Sequence, residues 1–510
     1  MAELSPLFPL LVLIFSIFIW LKLAKRNNLK LPPSPPKLPI IGNIHQLGQL
    51  PHRSLRDLSR NYGPLLLLRL GHNPTLLVSS ADMVKEIVKN HDVAFSDRPQ
   101  TTATDILHYG SRDFGFAPYG EYWKQVRKIS VLELFSRRRV QSFQFVRDEE
   151  VAVIIDRIRG ACRKGEPVNL SDMFLFVSSN IVSRCVISRK IEEDDGTCSK
   201  MGLFARRSAI LLTSLCFGDM FPYLRWLDNL TGLIPNLKAL SRELDAYLDQ
   251  IIEEHEASKS NNNGEVTKKN DFISSIFQLQ QDGKLDMDLT QDNTKANLLD
   301  MFLAGIDTTS SAAEWLMSEL FKHPEAMKKL QQEVRNVVGK KSKVEMEDIS
   351  RMNYLKCVVK ETLRLHPVAP LLVPRQTSAS VELGGYDVPS NTTVLINAWA
   401  IQTDPEWWEN PEEFMPERFE NSKVDFKGED FQFIPFGAGR RSCPGLQFGV
   451  ASIEYMIANL VCWFDWKLAD GGIAENLDMS EVYGLAITRK TPLRVLPVLY
   501  SDQDCVQNET

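Results

Sequence analysis

From Leu7 to Leu21 the chain runs LFPLLVLIFSIFIWL without a charge, and Lys22, Lys25, Arg26 and Lys30 follow closely. A helix needs about 20 apolar residues to span a bilayer, so this run is slightly short of a full span. A cleaved leader would carry its basic residues ahead of the apolar run and a small-residue cleavage site behind it. With the basic cluster downstream, the pattern predicts an uncleaved anchor over residues 1–24, with everything after Lys22 on the cytosolic face. The basic and proline-rich stretch 25–43, ending LPPSPPKLPIIGN, cannot continue a helix and predicts a stiff hinge. Apolar stretches in PLLLLRLGHNPTLLVSS (Pro64–Ser80) predict a hairpin around Gly71-His72-Asn73-Pro74. Helical patterns then dominate from Tyr119 to Leu365, broken by the polar loop Ser258–Asn270. After Leu383, Gly384-Gly385 and Val388-Pro389-Ser390-Asn391 punctuate strand signals that continue into TTVLINAWAI. There is no internal repeat and no shift in composition. The pattern predicts a mainly α chain with small β-sheets, an α+β body, as one large domain over 44–510.

Composition changes this picture little. At 510 residues length alone would allow three or four domains. The net charge of −6 argues against a generally basic nucleic-acid surface. Eight scattered cysteines (162, 185, 198, 216, 357, 443, 462 and 505) include no CxxC pair, which reads as neither a zinc site nor a disulfide framework and fits a reducing compartment. Asn-x-Ser/Thr sites at Asn169, Asn229 and Asn391 would then go unglycosylated.

Four motifs carry chemistry. In FGAGRRSCPG (Phe436–Gly445), Cys443 lies among Gly437, Gly439 and Gly445 and just ahead of a helical stripe of Phe448, Ala451, Tyr455, Ala458 and Cys462. A helix amino terminus and the charges of Arg440 and Arg441 favour a thiolate there. A Walker loop would need Gly-Lys-Ser/Thr, and a dinucleotide loop a third glycine. A plain buried cysteine stays open. Ala304–Thr309 (AGIDTT) sits inside an apolar helical stretch, where Gly305 costs about 1 kcal/mol against alanine and a buried Asp307 or Thr308 needs a partner. By itself, a packing glycine with a back-bonded threonine is the simpler account of it. Glu361 and Arg364 share a helix face, by themselves a weak surface pair, and Pro416–Phe419 (PERF) follows. Trp123 and Arg127 at i,i+4 could simply stack, and Lys124, Arg127, Lys128, Arg137, Arg138 and Arg139 could be a solvated face or a docking patch for an acidic electron donor.

Together, in this order and spacing, these motifs resemble the cytochrome P-450 enzymes, in particular the plant microsomal A-type, over nearly the whole chain. The resemblance implies the cytochrome P-450 fold and haem b, iron protoporphyrin IX, held through the thiolate of Cys443. It implies that Trp123, Arg127, Arg375, Arg441 and Phe436 also contact the haem, Trp123 and the three arginines at its propionates. Asp307 and Thr308 would manage protons at the oxygen-binding site, and Glu361, Arg364 and Arg418 would form a buried structural triad. Substrate contacts would include Ile106, Leu107, Ala304, Val368, Ala369, Leu371, Leu372, Leu485 and Ala486, an apolar set suited to a small lipophilic terpenoid, alkaloid or phenolic. The implied reaction is monooxygenation with O2 and NADPH-derived electrons from a separate flavin reductase, with cytochrome b5 as a further partner, at the endoplasmic reticulum membrane. A haem-thiolate isomerase or dehydratase is the first alternative; a non-enzymatic haem-binding membrane protein is the second.

Overall fold

The computed structural model describes residues 29–191, 199–261, 271–282, 287 and 289–500, with isolated positions 13, 14 and 16. The expected anchor, apart from those three positions, and most of the polar loop 258–270 lie outside the described residues. The described part of the proline-rich stretch does not stand off as a spacer. Leu67 N–H donates to the Pro33 carbonyl, Asn43 N–H to that of Arg69, and Lys30 and Asp387 exchange bonds, so the segment is pinned along the body. Prolines keep the chain extended and leave their carbonyls free to accept from a neighbouring strand.

The expected hairpin forms from β1 (Leu65–Leu70) and β2 (Asn73–Val78), antiparallel in register Leu65 to Val78. The helical body follows, including α1 (Glu121–Ser130), α2 (Leu170–Ile187), α3 (Lys200–Leu212), α4 (Leu233–Asn261), α5 (Gln291–Lys322) and α6 (Asn353–Leu365). The chain then returns to the first sheet with β3 (Arg375–Gln376) and β4 (Thr393–Ile396), giving the order β1-β2-β4-β3, and enters α7 (Leu446–Trp463). β4 runs parallel to β2, so the helical body is one long crossover between them. The strand signal in TTVLINAWAI overran: the strand stops at Ile396, because the Asn397 side chain accepts from Ala400 N–H and caps a short helix, Ala398–Gln402.

α5 is the axis of the fold. Thr290 starts it with a reciprocal capping box to Asn293, and its 32 residues run about 48 Å. It packs on α2, α3 and α7, and most of its surface is buried. α2 and α7 are long and apolar enough to cross a membrane, but both lie largely buried in the body, as core helices do. A second hydrophobic cluster joins Leu76, Val78 and Ile396 of the sheet to Ile434 and Ala438, and thereby seats the cysteine loop on the sheet.

Candidate active site around Cys443

The cysteine loop is a closed turn. Cys443 N–H donates to the Phe436 carbonyl (2.9 Å) and Ser442 N–H to that of Gly439 (3.0 Å). Two glycines make this possible. Gly437 and Gly439 have φ of +69° and +71°, and a Cβ on Gly439 would stand 2.6 Å from Asp92 Oδ1. Cys443 itself is accessible, yet burial pushes its thiol up, with the Gly445 N–H, Arg127 and the Leu446 N–H pulling back. A group both accessible and desolvated faces an interior space, so the thiol opens inward. Phe436 is half-buried, with its ring against Phe426 (5.5 Å).

Beside this loop, four guanidinium groups converge. Arg127 donates to the Ser442 carbonyl (2.6 Å) and lies 5.5 Å from the Trp123 ring. Arg441, 4.3 Å from the same ring, donates to the carbonyls of Ser96 and Ala117. Arg375 donates to the Ala438 carbonyl (2.6 Å), while its Nη1 is buried without a hydrogen bond, 3.5 Å from Asp92. The fourth, Arg98, holds the carbonyls of Gly115, Val373 and Pro374. Burial, then the neighbouring Arg375, lowers Arg441 to about 9; burial, then Arg441 and Arg375, holds Arg98 well below the usual arginine range. Mutual repulsion among buried cations, with carbonyls as their main partners, calls for an anion. Trp123 spends its only donor on the Phe114 carbonyl (3.0 Å), so here it is a platform for Arg127 and Arg441 rather than a donor. The residues fit haem: an inward thiol for the iron and a cationic wall for two propionates.

On α5 the accessible positions are telling. Ala304 is exposed and Thr308, one turn on, half-buried, while Ile306, Asp307 and Thr309 are buried. One narrow facet of a core helix therefore opens inward. Thr308 Oγ1 donates to the Ala304 carbonyl (2.5 Å). Gly305 packs against α2, where a Cβ would lie 3.0 Å from Val182 Cγ2. Both features of the bland explanation, packing glycine and back-bonded threonine, are thus present alongside the open facet. Asp307 faces away from it, toward Arg206 of α3 (3.5 Å), which also reaches Glu314 (3.5 Å). Burial raises the Asp307 carboxyl to about 6, with Arg206 holding it from going higher.

Glu361 and Arg364 are fully buried and joined by two bonds, Nε to Oε2 (2.7 Å) and Nη2 to Oε1 (2.8 Å). Arg418 Nε adds a third (2.9 Å), and Met415 N–H a fourth (2.8 Å). Arg364 also takes the carbonyls of Gln402, Pro411 and Glu413, so α6 is fastened to the segment that leads to the cysteine loop.

The nine expected substrate contacts separate into groups. Leu371, Leu372 and Leu485 line a cleft of about 640 Å³ with Leu47, Phe116 and Tyr483. That cleft lies beside the chemistry: neither Cys443 nor Thr308 lines it. Leu107, Val368 and Ala486 are buried in the main core, Ile106 and Ala369 are half-buried, and Ala304 is on the open facet. Ile487 N–H bonds the Val368 carbonyl and Leu485 N–H that of Ala209, which ties the terminal segment to the loop after α6 and to α3. Leu372 holds a left-handed φ of +52°, with its Cδ1 3.7 Å from where a Gly437 Cβ would be; such backbone strain persists only where the surroundings enforce it. Arg98, Asp92 and Arg206 escaped the sequence reading. The side-chain partners of each lie far off in the chain, and no local pattern marks it.

A family model described as cytochrome P450 matches residues 32–495. The chain is 50% identical over 501 residues to phenylacetaldehyde oxime monooxygenase of Prunus mume, covering 96% of this chain and 94% of that one. It is 44% identical to strychnine-11-hydroxylase of Strychnos nux-vomica, over 94% of each chain. Among solved structures, a zebrafish cytochrome P450 with abiraterone superposes with a TM-score of 0.72 at 26% identity, covering 88% of this chain and all of that one.

Proposed function

The chain belongs to the cytochrome P450 family and is a plant-type haem-thiolate monooxygenase, and on that premise we propose how its own residues serve the reaction and what it oxidises. Haem, when bound, supplies the iron that activates dioxygen, so that one oxygen atom enters the substrate and the other leaves as water. Cys443 gives the iron its thiolate, and Phe436 backs the loop. Arg127, Arg375 and Arg441, with Arg98, hold the propionates, over the Trp123 platform. Thr308 keeps a hydroxyl at the open facet of α5, and Asp307 passes protons from the Arg206 side. The substrate is a small lipophilic plant metabolite, a terpenoid, alkaloid or phenolic, met by Leu371, Leu372, Leu485 and Ala304; two relatives are named for phenylacetaldehyde oxime and strychnine. Electrons originate from NADPH and arrive through a flavin reductase at the exposed Lys124, Lys128, Arg137 and Arg138, on the α1 side of the cysteine loop; cytochrome b5 uses the same face. Residues 1–24 anchor the chain in the endoplasmic reticulum membrane, 25–43 lead from it, and 44–510 form the catalytic domain.

What carries the reading is that Cys443 and Ala304 are accessible and Thr308 is half-buried, on a loop and a helix otherwise packed into the body. Turnover of a plant metabolite extract under ¹⁸O2, in membranes with reductase and NADPH, tests it. Products gain one labelled oxygen atom, and none form without NADPH. Thr308→Ala retains haem and substrate binding, but product per NADPH falls on the order of tenfold or more and peroxide takes its place. Unlabelled product, or full coupling in the variant, refutes the assignment.

The raised Asp307 carboxyl gives a pH prediction. It is protonated below about 6 and ionised opposite Arg206 above. Because folding raises its value, ionisation costs native stability as pH climbs from the ordinary carboxylate range through about 6. Product per NADPH should decline as pH rises through the same window, where the donor form is lost. Arg206→Leu should move that decline to higher pH, and Asp307→Asn should remove it. A decline near 6 that persists in Asp307→Asn would take Asp307 out of the relay.

A further inference from the structure

His108, Asp113 and Asp300 form a cluster that no step above uses. His108 closes the short helix Thr102–Leu107, Asp113 lies in the loop behind it, and Asp300 projects from α5 one turn before Ala304. They are 1%, 0% and 6% exposed. His108 Nδ1 stands 3.2 Å from Asp113 Oδ2 and 3.5 Å from Asp300 Oδ1. Neither ring nitrogen makes a hydrogen bond, nor does Asp113 Oδ1. The imidazole is therefore near two carboxylates and aligned for hydrogen bonding with neither, whereas a simple buried ion pair would direct its N–H at one oxygen.

We propose that His108, Asp113 and Asp300 are the protein ligands of a structural site for a divalent first-row cation, zinc fitting best. One donor atom from each residue can be chosen with all three within 4.8 Å of one another. Zinc bonds of about 2.0–2.2 Å in a tetrahedron place neighbouring donors roughly 3.3–3.5 Å apart, the separation found on both His108 edges; water takes the fourth corner. The carboxylates are oriented from outside, as ligating carboxylates are. Gly115 N–H donates to Asp300 Oδ2 (2.8 Å) and Phe116 N–H to Asp113 Oδ2 (3.1 Å). A Cβ on Gly115 would crowd both, at 3.1 and 3.3 Å. Charge agrees: a dication neutralises two buried carboxylates, which otherwise rely on a shared proton and on His108 for compensation. Burial, then the Asp113 charge, pushes the Asp300 carboxyl well up when no cation is present. The ion would staple residues 102–116 to α5. That segment carries Ile106 and Leu107, and its Phe114 and Gly115 carbonyls receive Trp123 and Arg98.

The test uses the full-length, haem-loaded protein freed of loosely bound metal by a chelator. Zinc chloride titrated into it should bind at about one equivalent beyond the haem iron and raise the unfolding temperature. His108→Phe and Asp300→Asn should keep their haem content and the Soret band of the reduced CO complex, yet bind zinc at least on the order of tenfold more weakly. Asparagine at 300 imitates a protonated carboxyl, so it separates a metal from a shared proton. No zinc uptake by the unsubstituted protein overturns the site in favour of the proton. Equal zinc binding in all three proteins places the ion elsewhere and overturns it too.

Discussion

Cys443→Ala should abolish the red-shifted Soret band of the reduced CO complex and lower turnover below detection, on the order of a thousandfold or more. The reason is electronic. A thiolate pushes electron density onto the iron and favours O–O cleavage, and no other cysteine among the described residues replaces it. The other described cysteines cannot substitute: Cys185 and Cys462 are buried, their thiols pushed up to about 12 by burial, Cys357 and Cys216 are also in the core, and burial raises the thiol of the half-buried Cys162 too. The arginine wall is untouched by the substitution, so haem should still enter the variant. Absorption spectra of the reduced CO complex, taken beside a total haem assay, decide the matter. A thiolate-type band at normal haem content would remove Cys443 from the iron.

Glu361→Ala should have the second-largest effect, on folding rather than on chemistry. It leaves Arg364, fully buried, and Arg418 without their shared carboxylate. Breaking a buried pair from one side costs about 3–5 kcal/mol, because the remaining charge stays desolvated; that is a large fraction of the stability of an ordinary domain. Arg364 would keep its three carbonyls, which limits the loss but does not neutralise it. The yield of haem-loaded protein should fall on the order of tenfold, and the unfolding temperature with it. Arg418→Lys, which disturbs a partner at the rim of the cluster, should be milder. Normal haem content and an unchanged unfolding temperature in Glu361→Ala would show that the triad does not hold the core.

What the sequence revealed follows the range of the interactions. The Cys443 loop was legible because its glycines, cysteine and following helix are neighbours in the chain. The hairpin at Gly71-His72 was legible for the same reason. Asn397 was misread, because strand-like residues flank it on both sides and only its side-chain cap ends the strand. The Ala304–Thr309 stretch allowed a packing or a catalytic reading, and the structure explains why neither could be chosen: Gly305 serves the contact with Val182 while Ala304 and Thr308 open the facet. Arg98, Asp92 and Arg206 take their meaning from residues up to hundreds of positions away, and so does the His108 cluster. No window on the sequence contains both halves of those sites.

The arginine wall also imposes an order on biosynthesis. Arg98 and Arg127 come from the first quarter of the chain, but Arg375, Arg441 and Cys443 come from its last third. At about 5–20 residues per second, translation from Arg127 to Cys443 takes on the order of 15–60 s. Until Arg375 emerges the nascent chain holds half of the cationic pocket, and until Cys443 emerges it lacks the thiol that completes the site. Haem can therefore be captured only when the chain is nearly finished, and the cell must keep both the unfilled arginines and the free cofactor from other partners until then.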